Sequence, residues 1–530
     1  MVCKYKNEFI EYNCDRKEEY KKTGYCIFHC DKENFKKEEI EEFNEKFWKE
    51  FERQEKDEEE FNFIGFKFPD NFSFEKVEFK KPVDFSFTEL DNGANFRGAT
   101  FGNWTSFEGA KFGNNSSFER VTFNGLASFY GATFNDVENK ASFWNAMFRG
   151  RAEFTGVIFS GKVDFGRATF HDSVKFFGER YLFSWNDVPG TDSGLLLKHL
   201  RDNLKIDLVE KSEVNKEDNN KTITVKNNEN IFRFTLNEKA EKVILEVNGK
   251  EINEYILKKE NGNQSVYDKN KVFKSSAIFL FSVFERPERV EFVKVNLSET
   301  SFLHCIGIEK VGRFEYVDWN SKNFSYLFMG NKSTKKLYLS LNENIKEVFQ
   351  GLGKRNAIYD EIEIGEGKHK SYEFVAEVYR KLRINYERNL RFPEAGDFYI
   401  GEMEMKRKNV KLLGIEIKNR VLNFVVRNIS LTAWYKRFSY YGESYLRTLL
   451  WIFAVIIGFG YLFSNDFLAS AQIFFWINPP AESLNVRNFE LGINFIINSG
   501  WFVLLERILS VIFIALFVLA LRRKFKKGGE

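Results

Sequence analysis

Between residues 63 and 176 a large apolar side chain returns every five or six residues, with little else apolar between the returns. Phe96, Phe101, Phe107, Phe112, Phe118, Phe123, Phe129 and Phe134 are separated alternately by five and six positions. The series runs back through Leu90, Phe85, Phe79, Phe74, Phe68 and Phe63. It pauses at "NDVENKA" and resumes at Phe143, Phe148, Phe154, Phe159, Phe165, Phe170 and Phe176. A helix turns about 100° per residue, so such steps would throw successive rings onto opposite faces. A flat strand fails as well, because every odd step flips the side chain. The remaining solution is a chain that turns a corner in each repeat: a solenoid whose short sides each point one ring inward.

The residues around the rings agree. Ala94, Ala99, Thr105, Ala110, Ala127, Ala132, Ala146, Ala152 and Ala168 each stand two positions before a ring, where a narrow bore needs a small inward neighbour. Gly98, Gly109, Gly131, Gly150 and Gly166 follow rings where tight bends are expected. Repeats such as "ANFRGATF" and "ASFYGATF" resemble the pentapeptide-repeat family in its Phe-centred variety. The resemblance implies a mainly β fold, a right-handed quadrilateral β-helix with four sides per coil and stacked Phe in its bore. A coil would then take about 22 residues and stack at about 4.8 Å. The six-residue steps depart from a strict five-residue repeat, so some corners should carry one extra residue. Phe96 to Phe134 are then solenoid core.

Aromatic residues reach 17% of the 530, and the net charge is only +3. Segment 61–180 is also close to neutral. The balanced charge points to no nucleic-acid partner, and a rod that imitates the DNA duplex would have to be strongly acidic, which this one is not. The start "MVCKYKNEF" lacks a basic-then-apolar secretory pattern, which places the N-terminus in the cytosol. Four of the five cysteines fall within the first 30 residues, Cys3, Cys14, Cys26 and Cys30, with His29 in "GYCIFHC". In a reducing compartment such a cluster reads as metal-binding before it reads as disulfides. Cys3, Cys14 and Cys26 with either His29 or Cys30 could hold a structural zinc ion; the alternative is a small cap of reduced cysteines. Cys305 stands alone and is expected in the core. No nucleophile–base pair or paired carboxylates at motif spacing occur, and "GLGK" at 351–354 lacks the upstream glycine of a phosphate loop. No enzymatic activity is expected.

Residues 1–32 thus read as a Cys/His-rich cap and 33–60 as a charged capping helix with Phe43, Phe47 and Phe51 on one stripe. The β-helix is expected over 61–183. Residues 187–285 contain alternating runs such as "KTITVK", "IFRFTL" and "KVILEVNGKEI", the pattern of antiparallel strands with an "NGK" turn. This stretch reads as a β-rich insert. The ring series returns over 288–330, at Phe292, Leu297, Phe302, Ile308, Phe314 and Trp319. A helical linker hairpin follows over 335–410, with Val375, Val378, Leu382 and Tyr386 on one face and Phe398, Glu402 and Met405 on another. Segment 411–447 mixes basic and large apolar residues, as a helix lying on a membrane does.

Residues 448–522 hold two apolar stretches, 448–463 and 501–521, that read as transmembrane helices. Lys436, Arg437 and Arg447 precede the first and "RRKFKK" follows the second, which puts both ends in the cytoplasm. The loop 464–500 has one basic residue, Arg487, and "FLASAQIFFWI" within it suits a short re-entrant or interfacial helix ended by Pro479 and Pro480. "YRKLRINYERNLRFPEAGDFYIGEMEMKR", "FSYYGESYLRTLLW" and the C-terminal stretch resemble membrane-bound pentapeptide proteins with a two-span, channel-like domain. The loop lacks a carbonyl filter of the TVGYG type, so potassium selectivity is not expected. Glu506 and Arg507 are candidate pore or interface charges. Two spans enclose no conduit alone, so a channel requires a homo-oligomer. The resulting expectation is a multi-pass protein of the cell membrane with cytoplasmic N-terminal domains. Its rod or insert would bind a protein or small molecule and be coupled to an oligomeric channel-like or membrane-perturbing domain, as in a stress or anti-phage effector. The alternative is a membrane-tethered scaffold without conduction.

Overall fold

The computed structural model describes residues 2–7, 12–16, 20–32, 35–92, 94–135, 140–184, 213–217, 222–226, 231–237, 242–247, 250–260, 263–269, 272–323, 354–365, 371–409, 411–412, 415–416, 420–463, 466–478 and 499–527. The chain divides into two compact units: 1–320 with 358–360, and 321–357 with 361–530.

The first unit is a β-solenoid of about eight turns. Among the described residues its four sides are parallel sheets of eight, six, four and four short strands. Val83, Thr105 and Ala127 are register partners 22 residues apart, one coil each. In the coil that starts at Thr105, Phe107, Phe112, Phe118 and Phe123 each serve a different sheet. The six-residue steps, Phe112 to Phe118 and Phe123 to Phe129, therefore place an extra residue at alternate corners, as the spacing requires. Each side contributes its own file of rings. Phe85, Phe107 and Phe129 stack at 5.2 and 5.0 Å, and Phe96, Phe118 and Phe143 at 4.9 Å. Across the bore, Phe107 meets Phe118 edge to face at 5.6 Å. Offset stacking along the axis and edge-to-face contact across it suit the ring quadrupole in both directions. All eight rings from Phe96 to Phe134 are buried, and so are the small residues two positions before them.

The glycine expectation holds in part. Gly98, Gly109 and Gly131 adopt positive φ at corners, whereas Gly150 and Gly166 do not. There the reason is space, because a Cβ on Gly150 would lie 2.3 Å from the Gly125 carbonyl oxygen of the coil below. The pause after Phe134 adds three residues to one coil, since Ala127 pairs with Ala152; residues 136–139 of it lie outside the described set.

The capping helix α1 spans Lys37–Asp57 and buries Phe43, Phe47 and Phe51. Phe47 packs on Phe63, Phe68, Phe72 and Phe74, so α1 plugs the end of the bore.

The insert is a seven-stranded antiparallel sheet running from Glu179–Ser184 to Asn263–Lys269, which are themselves paired. The expected limits, 187–285, and the expected resumption at 288 are corrected. Phe273, Phe279 and Phe284 already continue the files, stacked on Phe159, Phe165 and Phe170 at 5.7, 5.0 and 5.3 Å. Their six-and-five spacing is hidden in the sequence by neighbouring Leu280 and Phe281, which point outward. Phe292, Leu297, Phe302, Ile308, Phe314 and Trp319 are buried as expected, and so is Cys305.

A short helix, α2 (Tyr359–Gly365), which belongs to the second unit from Glu361 on, precedes the hairpin of α3 (Tyr372–Arg388) and α4 (Phe392–Lys408). Val375, Val378, Leu382 and Tyr386 of α3 and Phe398, Glu402 and Met405 of α4 are buried. A Cβ on Gly401 would lie 2.4 Å from the Tyr379 ring, so this glycine lets the two helices approach. The stretches 335–353 and 366–370, including most of "GLGK", lie outside the described residues.

Segment 411–447 contains α5 (Arg420–Ile429) and α6 (Leu431–Ser439). The helices long and apolar enough to cross a membrane are α7 (Tyr445–Leu462) and the Trp501–Arg523 part of α9 (Ser499–Lys527). Between them, "FLASAQIFFWI" forms α8 (Phe467–Phe474). Ile452, Phe474 and Phe513 form one core of this bundle, and Phe459, Phe463 and Ile473 another. Pro479, Pro480 and Arg487 lie outside the described residues.

Candidate metal centre and the polar groups of the helical unit

Two local structures gather the N-terminal ligands. The short strands Lys6–Asn7 and Tyr12–Asn13 pair antiparallel, which brings Cys3 and Cys14 to the same end. Cys26 and His29 share a turn closed by His29 N–H to the Cys26 carbonyl at 3.1 Å. The sulfurs of Cys3, Cys14 and Cys26 and the Nδ1 of His29 all lie within 4.8 Å of one another, and all four residues are buried. His29 Nδ1 is 3.1 Å from Cys26 Sγ and 3.7 Å from Cys3 Sγ. A tetrahedron with Zn–S about 2.3 Å and Zn–N about 2.0 Å has edges of roughly 3.5–3.8 Å. This group could therefore hold a metal ion.

The surroundings set the chemical state of the ligands. His29 Nε2 lies 3.0 Å from the Ile64 carbonyl, which can only accept, so Nε2 carries the proton and Nδ1 turns its lone pair to the sulfurs. The Cys26 N–H donates to Cys3 Sγ at 3.3 Å. A hydrogen bond from Cys26, against the opposing effect of burial, holds the Cys14 thiol well below its usual range, while the same bond and burial push Cys26 up. A thiolate is thus favoured before any ion binds. Cys30 does not join the group. Its Sγ faces the Ile27 carbonyl at 3.5 Å, Lys32 donates to it, and burial pushes its thiol up. Between the two fourth ligands the sequence left open, the structure selects His29.

Sequence reasoning did not anticipate Arg16. Its guanidinium lies 5.1 Å over Phe28 and 5.0 Å over Phe66, donates to Glu50 of α1 at 2.8 Å, and approaches Cys14 Sγ at 3.9 Å. An arginine two residues after a ligand carries no spacing signal of its own.

Glu506 and Arg507 do not pair with each other. Glu506 is fully buried and accepts from Ser470 of α8. Arg507 donates to Asn478 at 2.6 Å and lies over Trp476. Adjacent helix positions point about 100° apart, so one polar group faces α8 and the other the segment after it.

α6, the turn before α7 and the end of α9 meet α4 through polar and charged groups. Glu404 accepts from Tyr441 at 2.6 Å and pairs with Lys436 at 2.8 Å and Arg407 at 3.0 Å. Burial opposes its charge, but Lys436 and Arg407 bring its pKa down to about 2, from 4.5. Arg523 pairs with Glu443 at 2.9 Å and lies 4.4 Å over Tyr399. A cleft of about 140 Å³ sits here, lined by Arg383, Glu387, Phe392, Tyr399, Glu443 and Arg523. Because Glu404's folded pKa is depressed, its stabilisation is complete above about pH 4.5 and is lost as pH falls toward 2. The shift corresponds to about 3 kcal/mol. Glu404→Gln is expected to lower stability at pH 7 by about that amount, and the gap to the parent protein should narrow in melts below about pH 4.5 and close only as pH falls through about 2.

A family model for pentapeptide repeats (9 copies) matches residues 74–120 and 107–158, a span that includes all eight rings from Phe96 to Phe134. No curated protein and no solved structure matches the chain. Residues 74–158 of the solenoid are accordingly similar to pentapeptide repeats, on a chain with two possible membrane-spanning helices. Solenoids of this kind are generally structural or interaction proteins and not enzymes.

Proposed function

We propose that this protein is a membrane-anchored pentapeptide-repeat scaffold whose rod or insert binds a protein or small-molecule partner and whose two-span domain self-associates. The observation that carries it is the uncovered apolar surface of the spans. Leu446, Leu450, Phe453, Ile457, Trp501, Leu504, Ile508 and Val511 are exposed on α7 and α9, and only 22% and 17% of the two apolar stretches are buried. Water does not tolerate that surface, whereas lipid and a second copy both do. Leu422, Val425, Ile429, Leu431 and Trp434 extend it along α5 and α6 beside Arg427, Lys436 and Arg437, as in a segment lying at the headgroups. The basic residues flanking the pair support an orientation with both ends in the cytoplasm.

Conduction by an oligomer is the second reading, supported by the polar Glu506–Ser470 and Arg507–Asn478 pairs inside the span region. A stress or anti-phage role would follow from joining a sensing rod to such a domain. For the N-terminal group we propose zinc, bound as a structural ion, since three thiolates and one imidazole with no open position suit it.

The test is reconstitution of the full chain. It should co-float with liposomes, resist extraction at high pH, and run as an oligomer in detergent. Ion flux that disappears in the Glu506→Gln, Arg507→Gln double variant would establish conduction. A detergent-free soluble monomer would overturn the anchored reading altogether.

A further inference from the structure

A solenoid has an open edge at its first coil, where backbone N–H and C=O groups lack a neighbouring strand. Here those groups are taken by the cap. The Asn62 N–H donates to the Gln54 side chain at 2.6 Å, and the Asn62 carbonyl accepts from it at 3.2 Å. The Ile64 carbonyl accepts from His29 Nε2 at 3.0 Å. The Lys67 N–H donates to the Phe28 carbonyl at 2.8 Å. Phe28 also stacks on Phe66 with centroids 4.6 Å apart. Two of these three edge positions are therefore served by the 26–30 turn, which carries two of the four metal ligands. The third is served by α1, and α1 is tied through Glu50 to Arg16, two residues beyond the ligand Cys14.

The segment that does this has little core of its own. Apart from the cysteines, its buried apolar side chains are Tyr20, Ile27 and Phe28 among the described residues. So small a cluster does not hold a chain in place without a further cross-link, and metal binding commonly supplies that free energy.

We infer that the Cys3–Cys14–Cys26–His29 centre is a metal-dependent latch on the open edge of the solenoid. The ion fixes the 26–30 turn against Ile64 and Lys67, and its loss frees that turn and exposes the edge. This rests on the zinc reading above. It goes further in making the ion responsible for edge protection and not only for the fold of residues 1–32.

The experiment uses the full chain in detergent. Bound metal is measured by mass spectrometry, and Co²⁺ exchange should show the visible bands of a tetrahedral thiolate site. The ion is then stripped with a chelator under reducing conditions, and amide exchange is followed by residue. On metal loss the Lys67 amide should exchange at least about 100-fold faster, while amides of inner coils such as Phe107 and Phe129 stay unchanged. Protease cleavage should appear within the first 36 residues at the same time. Cys14→Ser should reproduce both effects without a chelator, and Cys30→Ser should retain the metal and the protection. A protein that binds neither zinc nor cobalt overturns the zinc reading and the latch with it. A protein that loses a demonstrated ion but keeps Lys67 protected overturns the latch alone.

Discussion

Phe118→Asp is expected to leave the chain without a cooperatively folded solenoid. Phe118 is fully buried, sandwiched at 4.9 Å between Phe96 and Phe143 and met edge-on by Phe107 and Phe129. Truncating such a ring costs about 3–5 kcal/mol, and an unpaired carboxylate in a dry bore adds several more. A domain is stable by only about 5–15 kcal/mol, so the sum reaches the whole margin. Coils communicate only with their neighbours, so a break at Phe118 removes an interface on both sides. Phe118→Leu is the control. Leu90 and Leu297 already occupy ring positions, so the bore accepts Leu where it cannot accept charge. Circular dichroism melts read both variants. A Phe118→Asp protein that kept the parental β transition would overturn this account of the core.

The second large effect is expected at Arg355. Its guanidinium is buried between Glu361 and Tyr379, donating to the Tyr379 hydroxyl at 3.1 Å and pairing with the Glu361 carboxylate, which also accepts from Tyr379. Burial disfavours the arginine's charge, but Tyr379 and Glu361 more than offset this and raise its pKa above the usual value. Removing one partner leaves the other charge buried and alone, which costs about 3–5 kcal/mol. Arg355→Ala should therefore lower the melting of the helical unit strongly. The double variant Arg355→Met, Glu361→Met should recover much of the loss, because no buried charge is then unpaired. If the single and double variants melted alike, the loss would come from packing and not from charge.

The two positions are not equally legible in the sequence. The files of Phe118 could be written from spacing alone, because a side that buries one ring per repeat leaves its period in the chain. The capping stripe of Phe43, Phe47 and Phe51 and the buried face of α3 were legible for the same reason. The limits of the insert were not. Leu280 and Phe281 are as apolar as the core residues beside them, and only pairing to the coil below separates outward from inward. Arg355 gave no warning, because its partners Glu361 and Tyr379 are six and 24 residues away at no characteristic spacing.

The candidate metal centre shows the division most clearly. Composition and the crowding of Cys3, Cys14, Cys26, His29 and Cys30 pointed to an ion, since thiol and imidazole chemistry is local to those residues. Which four converge was decided only in three dimensions. The Ile64 carbonyl holds His29 Nε2 and turns Nδ1 inward, while the Ile27 carbonyl and Lys32 draw Cys30 away. Local periodicity sets what each segment buries, and it is written in the order of residues. Contacts between distant segments depend on how the buried faces come to rest against each other, and that information resides in the packed chain.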